Sequence, residues 1–248
     1  MMDHINIGTS GWMYDHWIGR FYPKGMENSK MLEHYAKKFS TVEINNAFYQ
    51  LPTKESIKTW EEKTPKDFIF AVKGSRYLTH MKNLKDPKES SEKFFNAIEY
   101  FERNLGPILF QLSSNWHKNK ERLEKFIHIL PEKYEYVFEL RHSTWFCEEI
   151  YEILRKNNIA LCFHDFKGKI TPLEITSDQL IYIRLHGSEG NYRKMYSGEQ
   201  LNWWVDRIQE WENKVNHIYL YFNNDAFGNA VNNAIELREK LKEERNGR

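Results

Sequence analysis

The regular alternation of strand-like and helix-like segments constrains the fold of this chain more than any other feature of its sequence. Eight predicted strands with helical stretches between them favour a TIM-barrel-like α/β fold, the (β/α)8 barrel, over an open doubly wound sheet. The predicted strands are Ile5–Thr9, Thr41–Asn45, Phe68–Lys73, Ile108–Gln111, Tyr136–Arg141, Ala160–His164, Leu180–His186 and His217–Asn223. The predicted helices are Ser29–Lys38, Lys54–Lys63, Lys88–Arg103, Lys120–Leu130, Cys147–Lys156, Glu199–Lys214 and about Gly228–Glu244.

One repeat of the predicted barrel departs from the ideal. The stretch Asp165–Gln179 contains a proline and several β-branched residues, so the sixth helix is predicted to be short or absent. The strand-to-helix links Ser10–Asn28, Gly74–Pro87 and Gly187–Ser197 are long, and in this fold the elaborated end is the active end. Since no linker, repeat or low-complexity segment divides the chain, residues 1–248 are predicted to form a single domain.

Composition and charge narrow the class of protein. A length of 248 residues is typical of one barrel, and a net charge of +1 provides no global field to attract nucleic acid or a membrane. The two cysteines, Cys147 and Cys162, form no CxxC motif, which suits a reducing compartment. No apolar run approaches the roughly 20 residues needed to span a bilayer. We therefore expect a cytoplasmic protein that has no membrane partner, and the sequence gives no oligomeric state.

Polar and charged residues occupy the carboxyl ends of the predicted strands, on the face that should be buried. In Ile181–His186, for example, the two-residue period places Arg184 and His186 on the face opposite Ile183. Buried charges are costly unless they are paired or face a wet cavity, so the pattern predicts a site at one end of a closed sheet. A plug of salt bridges is the structural alternative. The strand-end candidates are Ser10, Glu43, Asn45, Lys73, Gln111, Glu139, Arg141, His164, Arg184, His186 and Asn223, with Asp165 and Asp225 expected in the loops that follow.

The signs of these charges indicate an anionic ligand. Lys73, Arg141 and Arg184 outnumber the two glutamates, and arginine favours bidentate recognition of phosphate or carboxylate. The predicted proton-transfer residues are Glu43, Glu139, His186 and His164. The predicted substrate-binding residues are Ser10, Trp12, Asn45, Lys73, Gln111, Arg141, Arg184, Asn223 and Asp225.

Aromatic residues also crowd the long loops. They could stack on bases or sugar faces, or they could roof the barrel as a minor core, which we prefer for most of them. They are Trp12, Tyr14, Trp17, Phe21, Tyr22, Phe48, Tyr49, Trp145, Phe146, Tyr192 and Tyr196. The chain has no HExxH motif, no tight His/Asp cluster, no Walker motif and no GxGxxG, so neither a metal nor a cofactor is expected.

Short motifs spread over nearly the whole chain carry a family resemblance. They include Ile7-Gly8-Thr9-Ser10-Gly11-Trp12, Phe21-Tyr22-Pro23, Phe39-Ser40-Thr41-Val42-Glu43-Ile44-Asn45, Phe70-Ala71-Val72-Lys73, Thr79-His80, Gly106-Pro107-Ile108-Leu109-Phe110-Gln111-Leu112, Glu139-Leu140-Arg141-His142, Arg184-Leu185-His186-Gly187 and Tyr221-Phe222-Asn223-Asn224-Asp225. Together they resemble the YecE-like family, also called domain of unknown function 72. The resemblance implies a TIM-barrel-like fold and supplies no activity. Two departures from the expected pattern are Ser113, where a proline is expected, and His164 before Asp165.

The sequence therefore favours an enzyme, a hydrolase or lyase, that acts on a phosphorylated or otherwise anionic substrate at the carboxyl-terminal face of the barrel. A nucleic-acid end is included in that substrate class. The alternatives are a non-catalytic single-stranded nucleic-acid-binding protein, against which the net charge of +1 argues, and a glycoside hydrolase that uses Glu43 and Glu139. A structural barrel without a ligand is a further alternative. The expected partner is a small anionic ligand.

Overall fold

The computed structural model describes residues 4–166, 169–187 and 192–246 and has a TIM-barrel-like α/β fold. Its strands follow the order β1-β9-β8-β6-β5-β4-β3-β2, with the short β7 paired antiparallel to β6. The strands are β1 (Ile5–Thr9), β2 (Thr41–Ile44), β3 (Ile69–Lys73), β4 (Leu105–Gln111), β5 (Tyr136–Glu139), β6 (Ala160–Phe166), β7 (Lys169–Ile170), β8 (Leu180–Leu185) and β9 (His217–Phe222). The helices are α1 (Asn28–Ala36), α2 (Lys54–Glu62), α3 (Lys88–Ile98), α4 (Lys120–Ile127), α5 (Glu148–Lys156), α6 (Gly198–Trp211) and α7 (Asn229–Asn246).

The chain forms two compact units, so the expectation of a single domain stays a prediction. Unit 1 comprises Met1–Val42, Phe163–Thr171 and Asp178–Arg248, and unit 2 comprises Glu43–Cys162 and Pro172–Ser177. Within the described part of the chain, no helix is long and apolar enough to cross a membrane.

Unit 1 is organised by two parallel strand pairs. The register of β1 with β9 begins at Ile5 opposite Ile218, and that of β8 with β9 begins at Leu180 opposite His217. These strand pairings bring the carboxyl ends of β1, β8 and β9 to the same edge of the sheet. Ser197 caps α6 in a capping box, in which its side chain accepts the backbone N–H of Gln200 and the Gln200 side chain accepts the backbone N–H of Ser197.

Unit 2 is organised by the parallel pairs of β3 with β4, β4 with β5, and β5 with the start of β6. Its core is aromatic: Phe110 packs edge to face against Phe126 at 4.9 Å between ring centroids and lies 5.7 Å from Phe138. A capping box between Thr53 and Ser56 begins α2.

The strand and helix order predicted from the sequence is confirmed, and the differences are at the ends of elements. Asn45, Arg141, His186 and Asn223 lie just beyond their strands instead of inside them. The helix predicted over Lys88–Arg103 ends at Ile98.

The sixth repeat has no helix among its described residues, as expected, but its strand is longer than predicted. β6 continues to Phe166 because β7 pairs with its end, placing Asp165 opposite Ile170. The prediction that Asp165 lies in a loop is therefore wrong. Residues 167–168 and 188–191, which belong to two of the predicted loops, lie outside the described residues.

Candidate functional site

Three neighbouring strands of unit 2 end in polar side chains that are almost completely buried, namely Lys73, Gln111 and Glu139. The register of β4 with β5 places Gln111 beside Glu139, and the Gln111 amide donates to Glu139 Oε1 at 2.7 Å. The Nε–H of Arg141 donates to the same oxygen at 2.6 Å. Because a buried carboxylate without donors would be very costly, these two contacts explain how Glu139 stays buried.

Lys73 lies beside an aromatic ring and a histidine. Its ammonium is 4.1 Å from the centroid of the Phe48 ring, a cation–π contact, and Phe48 meets His80 edge to face at 5.1 Å. His80 belongs to a π-helical turn, Tyr77–Met81, that follows β3. Turns of this type are frequent at functional sites.

Burial and the surrounding cations lower the pKa of the His80 imidazole. Burial and then Lys73, Arg141 and Arg76 lower the pKa of His80 from its usual 6.5 to about 4, whereas Glu139 acts in the opposite direction. His80 is therefore neutral at neutral pH. The structure thus brings the predicted residues Lys73, Gln111, Glu139 and Arg141 together, and their surroundings favour an anion.

The two remaining predicted residues of unit 2 lie on and just after β2. Glu43 is fully buried within the strand. Asn45 is half-buried, and its side-chain oxygen is shielded from solvent and has no hydrogen-bond partner among the described residues. The glycoside hydrolase alternative, which depends on the separation of the Glu43 and Glu139 carboxylates, stays a prediction.

In unit 1 a buried network surrounds His186, which directly follows β8. The Nδ1 of His186 is 2.9 Å from the carbonyl oxygen of Asp165, and its Nε2 is 3.5 Å from Nη1 of Arg184. Since a carbonyl only accepts and a guanidinium only donates, the proton lies on Nδ1 and the lone pair on Nε2. Arg184 and His186 are both almost inaccessible to solvent.

Asp165 and Tyr196 hold this network in place. One carboxylate oxygen of Asp165 accepts the backbone N–H of His186 at 2.6 Å, and the other accepts the hydroxyl of Tyr196. The Tyr196 oxygen in turn accepts the N–H of Gly187 at 2.7 Å. Burial, reinforced by the Asp165 charge, raises the pKa of Tyr196 far above 10, so the hydroxyl remains a donor.

His164 lies near this network. Its ring is 6.0 Å from that of His186, in an edge-on arrangement, and its backbone N–H donates to the Thr171 hydroxyl at 3.0 Å. The structure therefore brings His164, Arg184 and His186 into one region of unit 1, where their roles in proton transfer and binding remain predictions.

The other predicted residues of unit 1 make mainly backbone contacts. The N–H of buried Ser10 donates to Phe222 and that of half-buried Asn223 donates to Leu185, while the carbonyl of buried Trp12 accepts the Tyr22 hydroxyl. These contacts fix the starts of the loops after β1 and β9.

Asp225 ties two loops together. Its backbone oxygen accepts from the Trp17 indole at 2.9 Å and lies 2.8 Å from the imidazole Nε2 of His16. Burial raises the pKa of the Asp225 carboxyl, and His16 opposes that effect.

The loop aromatics divide into three groups by burial, and Tyr14, Phe21 and Phe146 form the half-buried group. Trp12, Trp17, Tyr22, Phe48, Trp145 and Tyr196 are buried, as a minor core requires. Tyr49 and Tyr192 are exposed.

Among the described residues, no group of three or more His, Cys, Asp or Glu side chains is arranged to hold a metal ion.

Sequence reasoning placed Asp165 in a loop next to the strand-end candidates and assigned no site role to the Tyr196 hydroxyl or to His80. The signal for His80 was its place in the Thr79-His80 motif, and that for Asp165 was its position directly after His164. Tyr196 was one aromatic among many in the long loops, and nothing in the sequence indicated that its hydroxyl meets Asp165.

Comparison with known proteins gives one consistent result. Residues 6–248 match the model of the family described as "Protein of unknown function DUF72". The UPF0759 protein YunF of Bacillus subtilis is 25% identical over 98% of this chain and 96% of that protein. The UPF0759 protein YecE of Escherichia coli is 28% identical over 58% of this chain and 51% of that protein. A crystal structure of a DUF72 family protein from Thermotoga maritima has a TM-score of 0.88 and 32% identity, covering 96% of this chain and 99% of that one.

Proposed function

We propose that this chain, which belongs to the DUF72 family, is an enzyme that acts on a phosphorylated or otherwise anionic substrate bound at the carboxyl ends of β3, β4 and β5. The observation that carries the proposal is that the charged groups around the neutral His80 are mostly cations. Lys73, Arg76 and Arg141 act on that side chain together, and Glu139 is the carboxylate that opposes them.

Burial makes this excess of charge informative. Lys73 is 9% exposed and the Arg141 side chain 13%, and charges that are poorly solvated attract a counter-ion more strongly than charges on an open surface. The guanidinium of Arg141 is oriented by its bond to Glu139, so a phosphate or carboxylate meets a preorganised donor.

Each residue has a distinct role in the proposal. Lys73 and Arg141 hold the anionic group, and Glu43 and Glu139 transfer protons. Gln111 keeps Glu139 in position through its amide. In unit 1, Arg184 is proposed as a ligand of an anion and His186 as a proton acceptor through Nε2.

A thermal-shift titration tests the anion site directly. Inorganic phosphate, sugar phosphates and nucleotides are added in turn to the protein, and a ligand that binds the native state raises the melting temperature with concentration. At a ligand concentration of about 100 times Kd the stabilisation is about 2.7 kcal/mol, which corresponds to a rise of several degrees for a chain of this size.

Three variants locate the site. Lys73→Met and Arg76→Gln should weaken the stabilisation, because each removes one of the cations that act on His80. Lys66→Met removes an exposed lysine of the same unit and should respond like the unaltered chain. If no anion raises the melting temperature, or if all three variants respond alike, the proposed function is wrong.

A further inference from the structure

The π-helical turn restrains His80 through Thr79. The Thr79 hydroxyl lies 3.1 Å from the carbonyl oxygen of Ser75 and 2.9 Å from Nδ1 of His80. In an imidazolium both ring nitrogens carry a proton, so Nδ1–H donates to the Thr79 oxygen and the hydroxyl donates to Ser75. Nε2–H is then the second donor of the ring.

The surroundings of His80 combine restraint with positive charge. The ring is packed edge-on against Phe48, whose face carries the Lys73 ammonium. The charged groups that act on the imidazole are Lys73 at the end of β3, Arg76 directly before the turn, Glu139 at the end of β5 and Arg141 two residues beyond it. Three positive charges against one negative charge oppose a further proton on the ring.

We propose that His80 takes up a proton when an anion binds beside Lys73 and Arg141, and that the resulting imidazolium donates its Nε2–H to the anion. The proton comes from the solvent and adds to the lone pair of the neutral imidazole, so no other covalent bond is made or broken. The inference rests on the proposed anion site and deepens it. The preferred ligand is a dianion such as a phosphate monoester, because a second negative charge favours the added proton on His80 more than a single charge does.

Burial is the largest cause of the lowered pKa of His80, and the charges of Lys73, Arg141 and Arg76 add to it. A dianion beside Lys73 and Arg141 offsets their charges, so protonation of the imidazole becomes easier in the bound state than in the free state. A pKa that is higher in the bound state means that binding consumes protons, and by reciprocity the anion binds more tightly as pH falls. The dissociation constant changes by at most about tenfold per pH unit between the free and bound pKa values.

Calorimetry with sulfate as the probe measures the proton uptake. Sulfate remains a dianion between pH 5 and pH 8, so every proton taken up must enter the protein. The binding enthalpy is measured at about pH 6 in buffers that differ in their own ionisation enthalpy, and its slope against that enthalpy counts the protons. We expect roughly half a proton to one proton per sulfate bound.

Two histidine variants identify the group that takes up the proton. His80→Gln keeps a side-chain amide donor but removes the titration, so it should bind sulfate with no proton uptake. His128→Gln removes an exposed histidine at the end of α4 in the same unit and should leave the uptake unchanged. If His80→Gln does not fold, the NMR titration of the His80 ring in the unaltered chain, with and without sulfate, reports the same pKa change.

The possible outcomes separate the two proposals. Sulfate binding without proton uptake, or with the same uptake in His80→Gln, overturns the role of His80 and leaves the anion site standing. Absence of sulfate binding at every pH between 5 and 8 overturns the anion site and the inference together. A pKa of His80 that does not rise when sulfate binds also rules the inference out.

Discussion

Replacing Tyr196 by phenylalanine tests the network that positions His186. The substitution keeps the buried ring, which packs against Phe222 with 5.7 Å between centroids, and removes only the hydroxyl. Two groups then lose their partner: the Asp165 carboxylate loses a donor, and the Gly187 N–H loses its acceptor.

The expected loss of stability follows from these two contacts. A hydrogen bond to a buried charged group contributes about 1.5–3 kcal/mol, and a neutral bond about 1 kcal/mol. The free energy of unfolding should therefore fall by about 3 kcal/mol. For a chain of this size each kcal/mol corresponds to about 2–4 °C, so the melting temperature should fall by about 6–12 °C. Because the pKa of Tyr196 is raised far above 10, the effect should be the same from pH 6 to pH 9.

Thermal unfolding followed by circular dichroism measures this loss. Tyr49→Phe is the matched control, because Tyr49 is 77% exposed and its loss of a hydroxyl should change stability by less than about 0.5 kcal/mol. In an Asp165→Asn background the charged acceptor is gone, so Tyr196→Phe should cost about 1 kcal/mol less than in the unaltered chain. A fall in melting temperature of under about 2 °C, or strict additivity in the double variant, would refute the reasoning.

Two further predictions concern close packing and pH. An alanine at Gly8 would bring its Cβ closer than 3.0 Å to the backbone oxygen of Thr41, so Gly8→Ala should lower the free energy of unfolding by about 3 kcal/mol or more. The Cβ of Gly25→Ala meets no atom within 4 Å, so this variant should cost only about 1 kcal/mol, for its positive φ. Equal melting temperatures of the two variants would contradict this prediction. The raised pKa of Asp225 means that the folded state binds its proton more tightly than the unfolded state, so this carboxyl lowers stability as pH rises from the unfolded pKa through the folded one. Asp225→Asn should therefore be at least as stable as the unaltered chain at pH 7 and lose this advantage below pH 4 in urea titrations, and a loss of stability at pH 7 would show the opposite sign.

The fold was predictable because two patterns are strong in the sequence, the alternation of strand-like with helix-like segments and the apolar pattern within the strands. In β8 the apolar positions alternate with Tyr182 and Arg184, and in β9 the residues from Ile218 to Phe222 are all apolar or aromatic, as strands covered on both faces require. The observed strand boundaries differ from the predicted ones by up to three residues, because ladder hydrogen bonds decide where a strand begins and stops. A sequence pattern shows only which side chains prefer burial.

The candidate site was predictable only in part, for a related reason. Strand alternation and position indicate that Gln111 and Glu139 share the end of adjacent strands, and the structure joins them by a hydrogen bond. Tyr196 and His80 reach their partners from loops whose path depends on backbone contacts elsewhere, such as the turn stabilised by Thr79. No local periodicity encodes such contacts, so a single sequence cannot assign them.

A salt-bridge plug and a ligand site differ in the local balance of buried charges that they require. A plug requires that buried charges balance one another locally, because each unmatched charge costs several kcal/mol. At Glu139 the balance is good, since Arg141 and Gln111 share one of its oxygens. At His80, burial and then Lys73, Arg141 and Arg76 lower the pKa of the imidazole to about 4, and Glu139 acts against them. The cations are therefore placed where they oppose a proton on His80, an effect that a bound anion would reduce. The sulfate and phosphate titrations distinguish the proposed anion site from a plug on this point.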